Sequence, residues 1–546
     1  MHKKLLTVLI VFSAIISGCN ANHSSKLPSG IETISVDLKK VPLFIDRENR
    51  DIVAITLKMP DLEEPLTLGS VEVFFAHGSE TSILSEASFD YVVKHEEETT
   101  TEHFGTTSSI GKTAKITGNL QLGAGEHDFS ISFSANSDAL LENSIRIEKV
   151  RLSFGRRKSL DIPVEEDFSF RPGIVLRAAG QDNTDTYRIP GIITTSKGTL
   201  VAVYDNRYNN SKDLQEDIDI GMSRSTDGGI TWEPMKVIMD MGEWGGRAES
   251  LNGIGDPAIL YDPVNQTIWV AALWMSSVSM PDQRLWWASQ PGIEPHETGQ
   301  FMLSKSTDDG LTWSEPINIT QQIKDPKWSL LLQGPGAGIT MRDGTLVFPA
   351  QFKEDIGTKA LDGGQFTAHS TIIYSKDGGI TWHIGTGARP NTTEAQVVEL
   401  ADGSLMLNMR DDQNRTDKGD SNGRAVSVTR DLGKTWEVHP SSNGALQEPN
   451  CMASLIATDF SVGNITQQVL FFSNPNNRKS RTNMTIKASL DGGLTWPENL
   501  QTELYGPAGY GYSCMTMVDE KTVGIVYEGL KELYFQKVPV SDILKQ

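Results

Sequence analysis

The chain has 546 residues, with 49 Lys and Arg against 70 Asp and Glu, giving a formal charge of −21. That acidity argues against a nucleic-acid partner, which needs a basic face to displace counterions, and 3 cysteines cannot make a disulfide scaffold. A hydrophobic content of 38% at this length is that of a globular protein with a large core in more than one domain, and no stretch after residue 20 is apolar and long enough to span a bilayer.

At the N-terminus, His2-Lys3-Lys4 gives a basic flank and Leu5–Ile16 an apolar run, the pattern of an export signal. Ile16-Ser17-Gly18-Cys19 resembles the bacterial lipobox. The resemblance implies removal of residues 1–18, lipidation of Cys19 and a tether over residues 19–30. The protein is then expected as an exported lipoprotein, periplasmic or at the cell surface, meeting a membrane only through its anchor. Cys451 and Cys514 could pair in such an oxidising compartment, and the sequence leaves this open.

From residue 31 to 162 the chain alternates in short bursts, Ile52–Met59, Val71–His77, Thr113–Leu122, Phe129–Ala135 and Ile145–Phe154, bounded by Gly, Asn, Asp or Ser. Period-two runs without an intervening helical stripe predict a β-sandwich. Gly105–Thr113 superficially suggests a phosphate loop, but five residues separate its glycines where four are needed, and no helix pattern follows. Residues 163–172, with consecutive acidic side chains, are expected as a linker.

The remainder, residues 173–546, contains a repeat. Ser225–Trp232, Ser306–Trp313, Ser375–Trp382, Thr429–Trp436 and Ser489–Trp496 all fit S/T-x-D-x-G-x-T-W, with starts 54 to 81 residues apart. Upstream of three of them lie Gly198-Thr-Leu-Val, Gly344-Thr-Leu-Val and Gly403-Ser-Leu-Met, in phase with their boxes. The box has the chemistry of a tight turn: its Asp can bond backbone N–H groups, its Gly suits a positive φ, and its Trp offers a face to bury between units. One carboxylate per box, with no ligand cluster, makes calcium binding a weak reading of these Asp residues. Four-stranded units at this period predict a propeller, with about six blades at roughly 60 residues each. The fold class is therefore all-β: a six-bladed β-propeller preceded by a β-sandwich. The strand after each Gly-Thr-Leu turn ends in a polar residue, Arg207, Gln351 or Arg410, and such strand ends converge at one mouth.

Tyr187-Arg188-Ile189-Pro190, opening the propeller segment, resembles the (F/Y)-R-I-P motif of sialidases. Together with five Asp boxes in order, it makes the whole of residues 173–546 similar to secreted bacterial sialidases of glycoside hydrolase family 33. The β-rich segment before it is similar to the N-terminal domain of some gut-bacterial members and is expected to be carbohydrate-binding-like. The resemblance implies an exo-α-sialidase that hydrolyses terminal α-ketosidically linked sialic acid from glycoproteins, gangliosides and oligosaccharides.

The family uses three arginines for the substrate carboxylate. They map on Arg188, on Arg410 and on Arg481, with Arg478 a neighbouring contender for the third. Planar guanidinium forks suit a carboxylate better than Lys point charges. The nucleophile maps on Tyr512, with Tyr510 two residues away, and a neutral Tyr avoids the repulsion that a carboxylate nucleophile would meet. Its base maps on Glu394, with Glu399 inside the following strand as a decoy. The general acid maps on Asp213, with Asp217 and Asp219 close by, and it must be protonated near neutral pH, which calls for partial burial. Arg207 and Asp256 are implied to hold the 4-hydroxyl end of the sugar.

The implied reaction retains configuration, with a tyrosyl-enzyme intermediate. No metal or organic cofactor is expected: there is no H-E-x-x-H, C-x-x-C or G-x-S-x-G pattern. A monomer is expected. A trans-sialidase would share these residues, and Trp286 and Trp287 in Ser276–Thr298 could form its acceptor wall. A non-catalytic sugar-binding propeller would lack Tyr512, Glu394 or Asp213, and all three are present.

Overall fold

The computed structural model describes residues 30–45, 47–61, 65–94, 99–155, 158–214, 216–276, 288–462 and 465–546. The export signal with Cys19, and Trp286 and Trp287, lie outside the described residues.

Two antiparallel sheets form the N-terminal sandwich. One runs in the order Thr33–Leu38, Asn49–Met59, Gly125–Ala135, Leu84–Lys94, Thr99–Thr107; the other Lys158–Pro163, Ile147–Phe154, Leu66–Phe75, Thr113–Leu122. The alternation read from the sequence is the inside–outside alternation of these strands. Ile55, Leu57 and Met59 are buried while Ala54 and Lys58 face solvent, and they share one core with Val71, Val73, Phe89 and Phe133 of both sheets. Leu84–Lys94 and Thr99–Thr107 were not among the predicted bursts. The apolar face of the second is thin, with no fully buried residue among Thr, Glu and His.

Six further sheets are arranged as blades. Four of them begin with Thr186–Thr194, Asn252–Asp262, Thr392–Glu399 and Ser454–Val462 and step outward by antiparallel hairpins. The third blade is built on Leu346–Glu354, whose inner neighbour is split into Leu330–Gln333 and Ile339–Thr340. The last blade closes the ring. Its strands Ser513–Asp519, Thr522–Glu528 and Leu533–Pro539 come from the C-terminus, and Pro172–Arg177 joins from the other end of the propeller segment. Strands such as Leu200–Arg207 and Thr267–Ser276 are buried at every residue because each blade is covered on both faces by its neighbours.

The boxes stitch the outer hairpins. Asp377 Oδ1 accepts from Thr381 N–H at 2.9 Å and its Oδ2 from the Thr381 hydroxyl at 2.6 Å, and Asp227, Asp308, Asp431 and Asp491 repeat the pattern. The boxed tryptophans pack across blades: Trp232 lies 5.2 Å from Phe535 and Trp382 lies 5.8 Å from Trp269, centroid to centroid.

Two boundaries differ from those expected. Residues 163–172 are not a free linker: Phe168 and Phe170 are buried in the sandwich core, and Phe170 pairs with Ile145 through two backbone hydrogen bonds of 2.8 and 2.9 Å. Two phenylalanines among the acidic residues outweigh the polar composition that suggested a linker. Leu43–Phe44, inside the sandwich range, pairs in parallel with Pro172–Arg177 and so belongs to the closing blade. Ion pairs Lys40–Glu503, Arg47–Glu532 and Arg171–Asp542 fasten the two units further.

Candidate active site

Three innermost strands break register at the same end, between Arg188 and Gly191, between Gly255 and Ala258, and between Thr392 and Ala395. The first two bulges each hold a residue at positive φ, Ile189 at 56° and Asp256 at 57°, and Asn391 at 58° immediately precedes the third. A bulge re-aims side chains that the pleat would send into the blade, and a β-branched residue at such φ is strained. The three bulges turn Arg188, Asp256 and Glu394 onto one cavity of about 280 Å³ at the axis. Gly511, at φ 85°, makes the corresponding turn before Tyr512, where an added Cβ would lie 3.1 Å from the Arg481 side chain and 3.2 Å from Cys451 Sγ.

Arg188, Arg410 and Arg481 all line this cavity. Arg410 donates to Glu394 Oε2 at 2.5 Å, to the Tyr512 hydroxyl at 3.1 Å and to Asn450 Oδ1 at 2.9 Å. Arg481 donates to the carbonyls of Tyr510, at 2.8 Å, and Asn450, at 3.2 Å. Arg188 and Arg481 lie 5.2 and 5.6 Å from the Tyr512 ring centroid. Arg478 instead donates to the carbonyls of Gly419 and Asn422 and lies off the cavity.

Tyr512 and Glu394 are in contact: the phenol hydroxyl donates to Glu394 Oε1. Burial pushes the Glu394 carboxyl up, but Arg410, the Tyr512 hydroxyl and Arg481 bring it below its ordinary value. Burial, reinforced by Glu394, holds the Tyr512 phenol well above its ordinary value. The resting pair is thus a neutral phenol bonded to a carboxylate, the arrangement of a nucleophile with its base. Tyr510 and Glu399 do not line the cavity, and Glu399 bonds the Arg342 N–H at 2.8 Å at the other end of its strand.

Asp213 lines the cavity, accepting from Arg207 at 2.7 Å and from Arg188 at 3.4 Å. Its side chain is 60% exposed, so the partial burial expected of a protonated acid is not a property of the open site. Arg207 also departs from expectation. Its side chain is fully buried and donates to Asp205 at 3.0 and 2.7 Å and to Asp213, which makes it a support for Asp213 rather than a lining group. Asp256 does line the cavity; burial first, then the nearby Asp205 and Asp213, hold its carboxyl well above the ordinary range. Asp219 bonds Tyr208 and stands off the cavity, its carboxyl pushed up to about 7 by burial and by Asp240.

Two residues of this constellation were not among those singled out. Glu528, with a fully buried side chain, accepts from Arg188 Nε at 3.1 Å, Ile189 N–H at 2.9 Å and Tyr512 N–H at 2.8 Å. A signal existed: it is the polar end of an otherwise apolar strand, as Arg207 and Arg410 are. Asn450, at φ 60°, bridges Arg410 through its side chain and Arg481 through its carbonyl. Cys451 and Cys514 are both free and buried, and burial pushes the Cys451 thiol up to about 11.

Residues 198–525 match the family described as BNR repeat-like domain. A sialidase of Bacteroides fragilis (strain YCH46) is 47% identical over 437 residues, which is 80% of this chain and 77% of that protein. A sialidase of Micromonospora viridifaciens is 32% identical over 65% of this chain, and the match spans 51% of that protein. Among solved structures, the Hadza microbial sialidase Hz136 aligns with a TM-score of 0.80 and 41% identity, over 92% of this chain and 99% of that one.

Proposed function

The chain belongs to the bacterial sialidases, and from that membership we propose that it is an exo-α-sialidase working through Tyr512. It hydrolyses terminal α-linked sialic acid from glycoproteins, gangliosides and oligosaccharides, with retained configuration. The observation that carries the mechanism is the Tyr512–Glu394 contact, set among Arg188, Arg410 and Arg481 in one cavity.

Sialic acid bears its carboxylate on the anomeric carbon, C2. Three guanidinium groups hold that carboxylate and set C2 over the Tyr512 hydroxyl. As the substrate carboxylate engages Arg188, it draws that cation away from Asp213, and the sugar covers the exposed acid. Both changes raise the affinity of Asp213 for a proton. Asp213 then delivers its proton to the leaving glycosidic oxygen as the C2–O bond breaks. The Tyr512 oxygen forms a bond to C2 while its proton passes to Glu394. In the second step a water oxygen attacks C2 as the C2–O bond to Tyr512 breaks, Asp213 accepts the water proton, and the proton on Glu394 returns to the Tyr512 oxygen. Two displacements at one carbon restore the α configuration.

The motif around Cys19 supports a lipid anchor and export for this chain, and the lining of the cavity by residues of one chain supports action as a monomer. The test is sialic-acid release followed by ¹H NMR. The reading expects the α anomer first and a loss of at least about 10³-fold in Tyr512→Phe; first release of the β anomer would refute it.

A further inference from the structure

A fourth arginine, Arg415, lines the cavity, and the mechanism above leaves it unused. It ends a one-turn helix, Asp412–Arg415, that follows the Arg410 strand directly. The turn is pinned at its start: Asp411 Oδ1 accepts the Gln413 N–H at 2.9 Å, and the Asp412 N–H donates to the Asn391 carbonyl at 2.9 Å. Arg415 Nε donates to Asp412 Oδ1 at 2.9 Å, and the Asp412 side chain is itself buried. The two terminal nitrogens of Arg415 make no hydrogen bond among the described residues. A guanidinium fork held by one nitrogen and open at the other two is set to receive an anion.

Exposure sorts the lining by depth. Tyr512 is buried and Arg410 and Glu394 nearly so, whereas the side chains of Arg415 and Asp213 are 38% and 60% exposed. No other lining residue is exposed, so these two mark the mouth. They stand on equivalent connections, after the second strands of the fourth and first blades. In a ring of six, those blades face each other across the axis.

The sugar fills the deep part, with its carboxylate on Arg188, Arg410 and Arg481 and C2 over Tyr512. Its glycosidic oxygen meets Asp213, which is already at the mouth. Whatever that oxygen carries therefore leaves through the gap between Asp213 and Arg415. A neutral leaving group meets no electrostatic barrier there. An anionic one is repelled by a chain of formal charge −21, and Arg415 is the one exposed cation of the lining among the described residues. We propose that Arg415 forms an outer subsite for leaving groups with a negative charge of their own, so that the enzyme accepts chains in which one sialic acid is linked to the next. This rests on the sialidase reading and names the substrate class that its mouth admits. Removing the Arg415 charge also uncovers that of Asp412, so the penalty falls selectively on anionic leaving groups.

The experiment measures kcat/KM on a disialyl oligosaccharide, whose leaving group is itself a sialic acid, and on sialyllactose, whose leaving group is neutral. The ratio of the two, anionic over neutral, is compared between the wild type, Arg415→Gln and Arg415→Lys. Arg415→Gln should lower the ratio by roughly 3- to 10-fold. Arg415→Lys keeps the charge without the fork and should recover part of that loss. The wild-type ratio should fall as salt is raised, because salt screens an exposed attraction. An unchanged ratio in Arg415→Gln, a Lys variant no better than the Gln variant, or a wild-type ratio that does not fall with salt would overturn the subsite and leave the sialidase reading intact. Failure of the wild type to release sialic acid from either substrate would overturn the sialidase reading itself. If Arg415→Gln does not unfold cooperatively, Arg415→Lys and the wild-type salt series still decide.

Discussion

Glu528 Oε2 accepts the backbone N–H of Tyr512 at 2.8 Å, and its other oxygen takes Arg188 Nε at 3.1 Å. One carboxylate with a fully buried side chain thereby sets the spacing between Tyr512 and Arg188. Glu528→Gln keeps the shape and removes the charge. It leaves Arg188 short of a counter-ion in a buried place, at a cost of about 3 kcal/mol. Because an ångström of misplacement suffices, kcat/KM is expected to fall by about 10²-fold. Thermal unfolding and kinetics on the same samples check both, and unchanged kinetics would remove Glu528 from the account.

Asn450 holds two arginines by different atoms, which makes them separable. Asn450→Gly keeps the carbonyl that Arg481 uses, and a residue suited to φ 60°, but loses the bond to Arg410. A hydrogen bond to a charged group contributes about 1.5–3 kcal/mol, so KM for sialosides should rise on the order of tenfold or more, and loss of the Asn450 Nδ2 bond to the Asp411 carbonyl should lower Tm modestly. Asn450→Ala adds backbone strain and should lower Tm as well.

The pH dependence follows from Glu394. Its folded value lies below the ordinary 4.5, so this carboxyl is ionised through the neutral range, and, with Glu394 as the proposed base, the acid limb of kcat/KM should fall below pH 4.5. Its contribution to stability is complete above the unfolded value and is lost as pH falls through the folded one. Burial opposes this, and Arg410 is the largest cause that favours it. Arg410→Gln should therefore move the acid limb upward, whatever it does to the maximal rate. A limb left in place would contradict the assignment of Glu394 as base.

Asp256 has the opposite sign. Its carboxyl is held well above the ordinary 3.8 by burial and by Asp205 and Asp213. The stability it allows is fully present below 3.8 and declines as pH rises toward the folded value. Asp256→Asn should match the wild type in Tm near the acid end and exceed it by a growing margin toward neutrality. The same variant should be less active, a trade of stability for function.

The propeller was legible because its boxes repeat a turn chemistry carried by adjacent residues: Ser375, Asp377, Gly379 and Thr381 bond one another within seven positions. Arg188, Glu394, Arg410 and Tyr512 were legible because each sits in a local motif. Glu528 and Asn450 were missed because their partners are backbone atoms and arginines remote in sequence, as Glu528 is from Ile189. Residues 163–172 misled through composition, since the burial of Phe168 and Phe170 is decided by the sandwich and not by their acidic neighbours. The open exposure of Asp213 could not be read either, because it depends on where Arg188 and Arg207 arrive.

The account turns on Tyr512 as nucleophile. The most direct measurement is mass spectrometry of the enzyme after reaction with a 2,3-difluorinated sialic acid, whose fluorine at C3 slows release of the intermediate. The account predicts a gain of one fluorosialosyl unit on the peptide carrying Tyr512, absent in Tyr512→Phe. An adduct on Glu394 or Asp213, or full turnover of the wild type with no adduct on Tyr512, would contradict it.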